Sequence, residues 1–130
     1  MEQLLAISPL DGRYYIHTKI LQDYFSEFAF FKYRLYIELH YLVNLCDTLK
    51  YLISYREIHK IYLNFTVEEC YKIKKIESDI KHDVKSIEVY IGDKFEEYNL
   101  PYKNLIHFGL TSQDINNTSI TLSLLSYIKN

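Results

Sequence analysis

Ser26-Glu27-Phe28-Ala29-Phe30-Phe31-Lys32-Tyr33-Arg34-Leu35-Tyr36-Ile37-Glu38-Leu39-His40-Tyr41-Leu42-Val43-Asn44-Leu45-Cys46-Asp47-Thr48-Leu49 is the stretch that decides the fold. Phe28, Phe31, Leu35, Leu39, Leu42, Cys46 and Leu49 recur at steps of three and four, which sets them on one stripe of a long helix. Ser26 stands where an N-cap belongs, its hydroxyl able to accept from a free backbone N–H of the first turn.

Downstream, a weaker helical piece covers about Tyr55 to Tyr62. Thr66-Val67-Glu68-Glu69 fits a capping box, so a helix should run from Val67 to about Glu77. Val84, Ile87, Ile91 and Phe95 mark another, ending near Asn99-Leu100-Pro101, although Gly92 within it costs about 1 kcal/mol against Ala. Pro101 and Gly109 bracket a connection, and Thr111-Ser112-Gln113-Asp114 opens a last helix with Ile115, Leu122 and Leu125 along one side. Upstream, Met1 to Lys19 has no helical period. Its Ser8-Pro9-Leu10-Asp11-Gly12 turn makes it an irregular arm.

Composition agrees with an all-α fold. The chain has 130 residues, 3 Gly and 2 Pro, none of them between Arg13 and Ile91, which excludes a turn-rich β sandwich. Hydrophobic residues make up 48% and charged residues 25%, the balance of a globular domain. A net charge of −2 implies no nucleic-acid-binding face. Cys46 and Cys70 lie apart with no CxxC, which makes a structural metal site improbable. Met1 to Ala6 lacks the features of a secretory signal, and no apolar run approaches membrane-spanning length. A reduced, cytoplasmic protein is the expectation, and the N-x-S/T triplets at Asn64, Asn116 and Asn117 are chance matches. The last helix reaches Asn130 without a glycine cap, and its Leu122, Leu124, Leu125 and Ile128 call for a partner, so the chain reads as cut from something longer.

Three clusters could carry chemistry. Arg13-Tyr14 follows the Ser-Pro-Leu-Asp-Gly turn. Arg offers a planar fork suited to phosphate, but on chemistry alone a solvated Arg and a packing Tyr are the commoner reading. In Lys81-His82-Asp83, an Asp could fix the tautomer of its neighbouring His, or Asp83 could simply cap a helix. In His107-Phe108-Gly109-Leu110-Thr111-Ser112, a helix N-terminus presents free N–H groups to an anion, with plain capping by Thr111 the alternative. His17, His40 and His59 read as structural or surface residues.

In this order, the clusters resemble the adenylosuccinate lyase family of the fumarase/aspartase superfamily. Ser8-Pro9-Leu10-Asp11-Gly12-Arg13-Tyr14 looks like its N-terminal substrate loop. Phe25-Ser26-Glu27 and Arg34 to Glu38 look like its first long helix, and His82-Asp83-Val84-Lys85 with Glu88 like its His-Asp-Val segment. Ile106-His107-Phe108-Gly109 and Thr111-Ser112-x-Asp114-Ile115-Asn116-Asn117 look like the first signature stretch of the superfamily. Lys81 departs from it, standing where relatives often carry Asn or Arg.

The resemblance implies an N-terminal helical domain over residues 1–110, and the start of the first helix of the central bundle over 111–130. It implies a β-elimination of fumarate from adenylosuccinate to give AMP, and from the succinyl-carboxamide ribonucleotide (SAICAR to AICAR), in a homotetramer with no cofactor. Arg13 and Tyr14 would contact the nucleotide. Lys81, His82 and Asp83 would line the site, with His82 assisting the acid. Thr111 and Ser112 would hold the succinyl carboxylate, and His107 would lie near the phosphate. The principal acid, in a Thr-His-Gly segment, and the base, in a Ser-Ser-x-Met-Pro loop, would lie beyond residue 130, leaving the isolated chain inactive. Two other readings stand beside it: a non-catalytic helical interaction or assembly module, and another lyase of the superfamily, from which Thr111-Ser112-Gln113-Asp114 and the arm point away.

Overall fold

A computed structural model describes residues 2–130. Among these described residues seven α-helices follow in order: α1 (Tyr15–Thr18), α2 (Gln22–Phe25), α3 (Glu27–Thr48), α4 (Tyr55–Leu63), α5 (Val67–Ile80), α6 (Asp83–Glu97) and α7 (Ser112–Lys129). Single 3-10 turns occupy Gln3–Leu5, Lys19–Leu21 and Lys103–Leu105, and no strand occurs among the described residues. The fold is all-α, as the periodicity predicts.

The decisive stretch folds as read. Ser26 caps α3, its hydroxyl accepting from the Ala29 N–H. At 22 residues α3 is about 33 Å long. It packs against α2, α4, α5, α6 and α7, while α5 and α6 pair with each other. Phe31, Leu35, Leu39, Leu42 and Cys46 from α3 meet Ile58 and Ile61 of α4, Cys70 and Ile73 of α5, and Ile87, Tyr90, Ile91 and Phe95 of α6 in one core. Cys46 and Cys70 are both free and buried there, and burial pushes the Cys70 thiol up to about 11. An unreactive thiol follows.

The helices end without glycine. Lys50, Lys81 and Asn99 take the left-handed conformation after α3, α5 and α6, with φ of 60°, 56° and 53°. The Tyr51 and Leu100 N–H groups then reach back to the Cys46 and Phe95 carbonyls at 2.8 Å each, the closing bond of a Schellman cap.

Four expectations need correction. The arm is turn-rich only as far as Tyr14, since helical turns begin at Tyr15 and continue through Phe25; Met1 lies outside the described residues. Thr66 caps α5 through the Glu69 N–H, but Glu69 does not complete the box. Its carboxylate is drawn instead to Lys72, Lys94 and the Tyr90 hydroxyl. That helix also runs on to Ile80, a turn further than its apolar pattern indicated. On α7, the buried side is Ile115, Ser119 and Ser123, whereas Leu125 is exposed. The small serines let α7 lie close along α3, and the Ser123 hydroxyl donates to the Tyr24 carbonyl at 2.5 Å. Among the described residues no helix is long and apolar enough to cross a membrane.

Gly92 sits buried in α6, and a Cβ there would come within 3.0 Å of the Lys103 Cε. That atom belongs to a flexible, half-exposed side chain paired with Glu96. An exposed pair contributes at most about 1 kcal/mol and often far less, while Gly→Ala in a helix interior gains about 1 kcal/mol. Gly92→Ala should therefore leave the protein as stable or more stable by a few tenths of a kcal/mol, read by urea unfolding. A loss above about 1 kcal/mol would mean that Lys103 cannot move aside.

Candidate functional site

Beside its apolar stripe, α3 carries a second line of residues at the same four-and-three spacing: Arg34, Glu38 and Tyr41. Each reaches a different point of the candidate clusters. Arg34, 3% exposed, donates from Nη1 to Asp83 Oδ2 at 2.7 Å, and its guanidinium lies 3.8 Å from the centre of the Phe30 ring. Glu38 Oε1 lies 2.5 Å from His107 Nδ1. The Tyr41 hydroxyl donates to the Phe108 carbonyl at 2.6 Å. One face of one helix thus holds the start of α6 and the loop before α7.

His82, Asp83 and Lys81 form the corner between α5 and α6. Lys81 is the left-handed residue of that corner, and its N–H donates to the Glu77 carbonyl. His82 is the N-cap of α6, its Nδ1 accepting from the Lys85 N–H at 3.1 Å. A ring nitrogen that accepts carries no proton, so the neutral ring has its hydrogen on Nε2. The backbone, not Asp83, sets this tautomer: Asp83 Oδ1 lies 3.9 Å away and accepts instead from the Val84 N–H at 2.8 Å. Partial burial works to raise the Asp83 pKa, but the Val84 N–H and Arg34 outweigh it and hold the carboxyl below its usual range.

His107 is almost buried between two glutamates. Glu38 is on its Nδ1 side, and Glu88 Oε1 of α6 lies 3.6 Å from Nε2. Glu88 is itself paired with Lys85 at 3.1 Å. Burial pushes the Glu38 carboxyl up, opposed by the bond and the charge of His107. The loop needs unusual backbone here: His107 has φ of 63° and Gly109 of 77°. At Gly109 a Cβ would have room, 3.7 Å from the Tyr41 hydroxyl, so the backbone angle is what favours glycine.

Thr111 and Ser112 begin α7 in different roles. Thr111 closes a complete capping box: its hydroxyl accepts from the Asp114 N–H, and Asp114 accepts from the Thr111 N–H at 2.9 Å. That backbone bond, then the Thr111 hydroxyl, holds the exposed Asp114 carboxyl low. The Ser112 hydroxyl makes no hydrogen bond among the described residues, so capping does not occupy it.

The second and third clusters are thus both tied to α3, while the first is not. Arg13 lies over the Tyr14 ring at 5.4 Å, and no hydrogen bond or ion pair among the described residues ties either to the other clusters. Sequence reasoning gave no individual role to Arg34, Glu38, Tyr41 or Glu88. Their signal was available: two opposite charges one turn apart beside an apolar stripe. A separate cleft is lined by Glu27, Phe28, Val67, Cys70, Tyr71 and Lys74. Proton-transfer and anion-binding groups decide function, so the polar clusters held by α3 are the candidate site. Among the described residues no group of three His, Cys, Asp or Glu is placed to hold a metal ion.

The fold is an all-α scaffold whose longest helix ties down two histidine-bearing corners. Sequence comparison goes further. The chain is 40% identical to an adenylosuccinate lyase of Dictyostelium discoideum over 99% of its own length and 30% of the relative's. An adenylosuccinate lyase of Legionella pneumophila is 41% identical over 93% of the chain and 28% of the relative. One of Buchnera aphidicola is 36% identical over 95% of the chain and 29% of the relative. No family model matches the chain. The chain is similar to these adenylosuccinate lyases along nearly all of its own length and spans about 30% of theirs.

The Arg34–Asp83 pair has a definite pH sign. A carboxyl whose folded pKa is depressed contributes stability above its unfolded pKa and loses it as pH falls through the folded value. Asp83→Asn should cost about 1–2 kcal/mol at pH 7, since a buried guanidinium loses its charged acceptor at a half-exposed position. That deficit should begin to shrink as pH drops below about 4, where an aspartate of the unfolded chain protonates, and should vanish below the lower folded pKa of Asp83. Denaturant unfolding of both proteins at pH 7 and pH 3 reads it, and an equal deficit at the two values would contradict the pairing.

Proposed function

We propose that this chain is the N-terminal part of an adenylosuccinate lyase, with residues 1–110 as its helical domain and 111–130 as the start of the central bundle. The observation that carries the reading is the alignment of nearly the whole chain with relatives of that name. The enzyme releases fumarate from adenylosuccinate to leave AMP, and from SAICAR to leave AICAR, in cytoplasmic purine biosynthesis and without a cofactor. A base takes the proton beside a carboxylate, the carbanionic charge is held by fixed donors, and an acid protonates the departing nitrogen. Electrons of the broken C–H bond become the new C=C bond as the C–N bond opens.

The residues here serve that reaction by binding and orienting. Arg13 and Tyr14 contact the nucleotide, and Lys81 and Asp83 line the site beside His82. The Nε2–H of His82 faces away from its own helix cap, which supports its assisting the acid. Ser112, with an uncommitted hydroxyl at the positive end of α7, holds the succinyl carboxylate, and Thr111 contributes the helix start that makes this possible. His107 lies beside the phosphate. The assembly is a homotetramer whose sites combine residues of several subunits, and the principal acid and base come from outside these 130 residues.

A hybrid tests this reading. Joined to the remainder of the Dictyostelium relative in place of the segment it matches, the chain should support fumarate release from adenylosuccinate, whereas the 130 residues alone should release none. A folded hybrid without activity would overturn the assignment. In the active hybrid, Ser112→Ala should lower kcat or raise KM by about tenfold to a hundredfold, as expected when one donor to an anionic group is lost. Its melting temperature should hardly move, because Thr111 does the capping. Unchanged kinetics would reduce Ser112 to a helix-start residue.

A further inference from the structure

Glu38 is a charged side chain with no exposed surface, placed in mid-helix where the apolar stripe alone would close the core. Its Oε1 meets His107 Nδ1 at 2.5 Å, and its Oε2 is buried with no hydrogen-bond partner. A carboxylate accepts and cannot donate, so the hydrogen of this contact belongs on Nδ1 when Glu38 is ionised. Free imidazole in water has no comparable constraint on which nitrogen carries it. The other groups around the ring do not duplicate this bond. Glu88 stands 3.6 Å from Nε2, beyond hydrogen-bond reach, and is engaged by Lys85. Asp114 is engaged by Thr111.

We propose that Glu38 is a positioning residue of the site: it accepts from Nδ1–H of His107, fixes the tautomer and ring orientation, and leaves Nε2 as the nitrogen offered to a ligand. His107 sits at a left-handed backbone position in a loop that would otherwise leave its side chain many choices. The bond from α3 removes that freedom before any ligand arrives, which is how a supporting group contributes to a site it never touches. The pairing complements His82, whose Nδ1 is the acceptor of its own helix cap. Both rings then present Nε2, one as a donor and the other free to accept or, when charged, to donate.

The functional half of this inference rests on the lyase reading, while the structural half does not, so the two can fail separately. Long-range 1H–15N correlation spectra of the 130-residue chain, recorded at a pH where His107 is neutral, report which ring nitrogen is protonated. The expected result is an Nδ1–H ring for His107 and an Nε2–H ring for His82. In Glu38→Gln the amide oxygen still accepts, so the Nδ1–H form should persist. In Glu38→Ala it should give way to a mixture with Nε2–H. An Nε2–H ring for His107 in the wild-type chain would overturn the proposal even if Glu38→Ala fails to fold, as would an unchanged tautomer in a folded Glu38→Ala. In the active hybrid, Glu38→Gln should retain most of the turnover and Glu38→Ala should lose at least tenfold in kcat/KM. If the hybrid proves inactive while the spectra agree, the lyase reading fails and the tautomer assignment stands.

Discussion

A buried carboxylate must have a partner, and in this fold Glu38 has one hydrogen-bond partner, His107. Moving an ion of that size out of water costs several kcal/mol even after the protein relaxes, and removing one member of such a pair leaves the other uncompensated. The loop carrying His107 is therefore held to α3 by more than chain connectivity. Tyr41 adds a second hold one turn on, through the Phe108 carbonyl. Arg34 does the same for α6 one turn back, through Asp83. The left-handed angles at His107 and Gly109 persist because these contacts determine where the loop goes.

The arrangement gives α3 two functions on adjacent faces. Its apolar stripe supplies the centre of the core, and its Arg34-Glu38-Tyr41 line sets the relative placement of the α6 corner and the α7 start. Core packing is close and resists small displacements. Groups anchored to a core helix inherit that rigidity. The arm bearing Arg13 and Tyr14 has no such anchor. Leu4, Ile7 and Ile16 are largely exposed on it, and the Thr18 hydroxyl donates back to its Leu10 carbonyl at 2.8 Å.

The helices were legible because their information is local. The stripe of α3, the Ser26 and Thr66 caps and the Thr111 capping box are each written within a few residues. Where competition from elsewhere in the chain mattered, local reading failed. Glu69 left its capping box for Lys94, which lies 25 positions away. The contact face of α7 follows its serines, because close approach to α3 favours small side chains over the leucines that look like a stripe. The clusters Lys81-His82-Asp83 and His107 to Ser112 were visible as motifs, and Arg34 and Glu38 as charges beside the stripe, but which of them pairs with which was not. Arg34 and Glu38 act 49 and 69 positions away along the chain, and only folding reveals such partners.

Amide hydrogen exchange tests the central claim most directly. In Glu38→Leu the buried charge is replaced by a side chain of similar bulk, so the core should survive while the hold on His107 is lost. The Phe108 and Leu110 amides, which close the loop through the Leu105 and His107 carbonyls, should exchange at least tenfold faster than in wild type. Leu39, Ile61 and Ile87 amides should keep their protection. Loop amides that exchange at the wild-type rate would contradict the account, because the loop would then be held by something other than the Glu38 carboxylate.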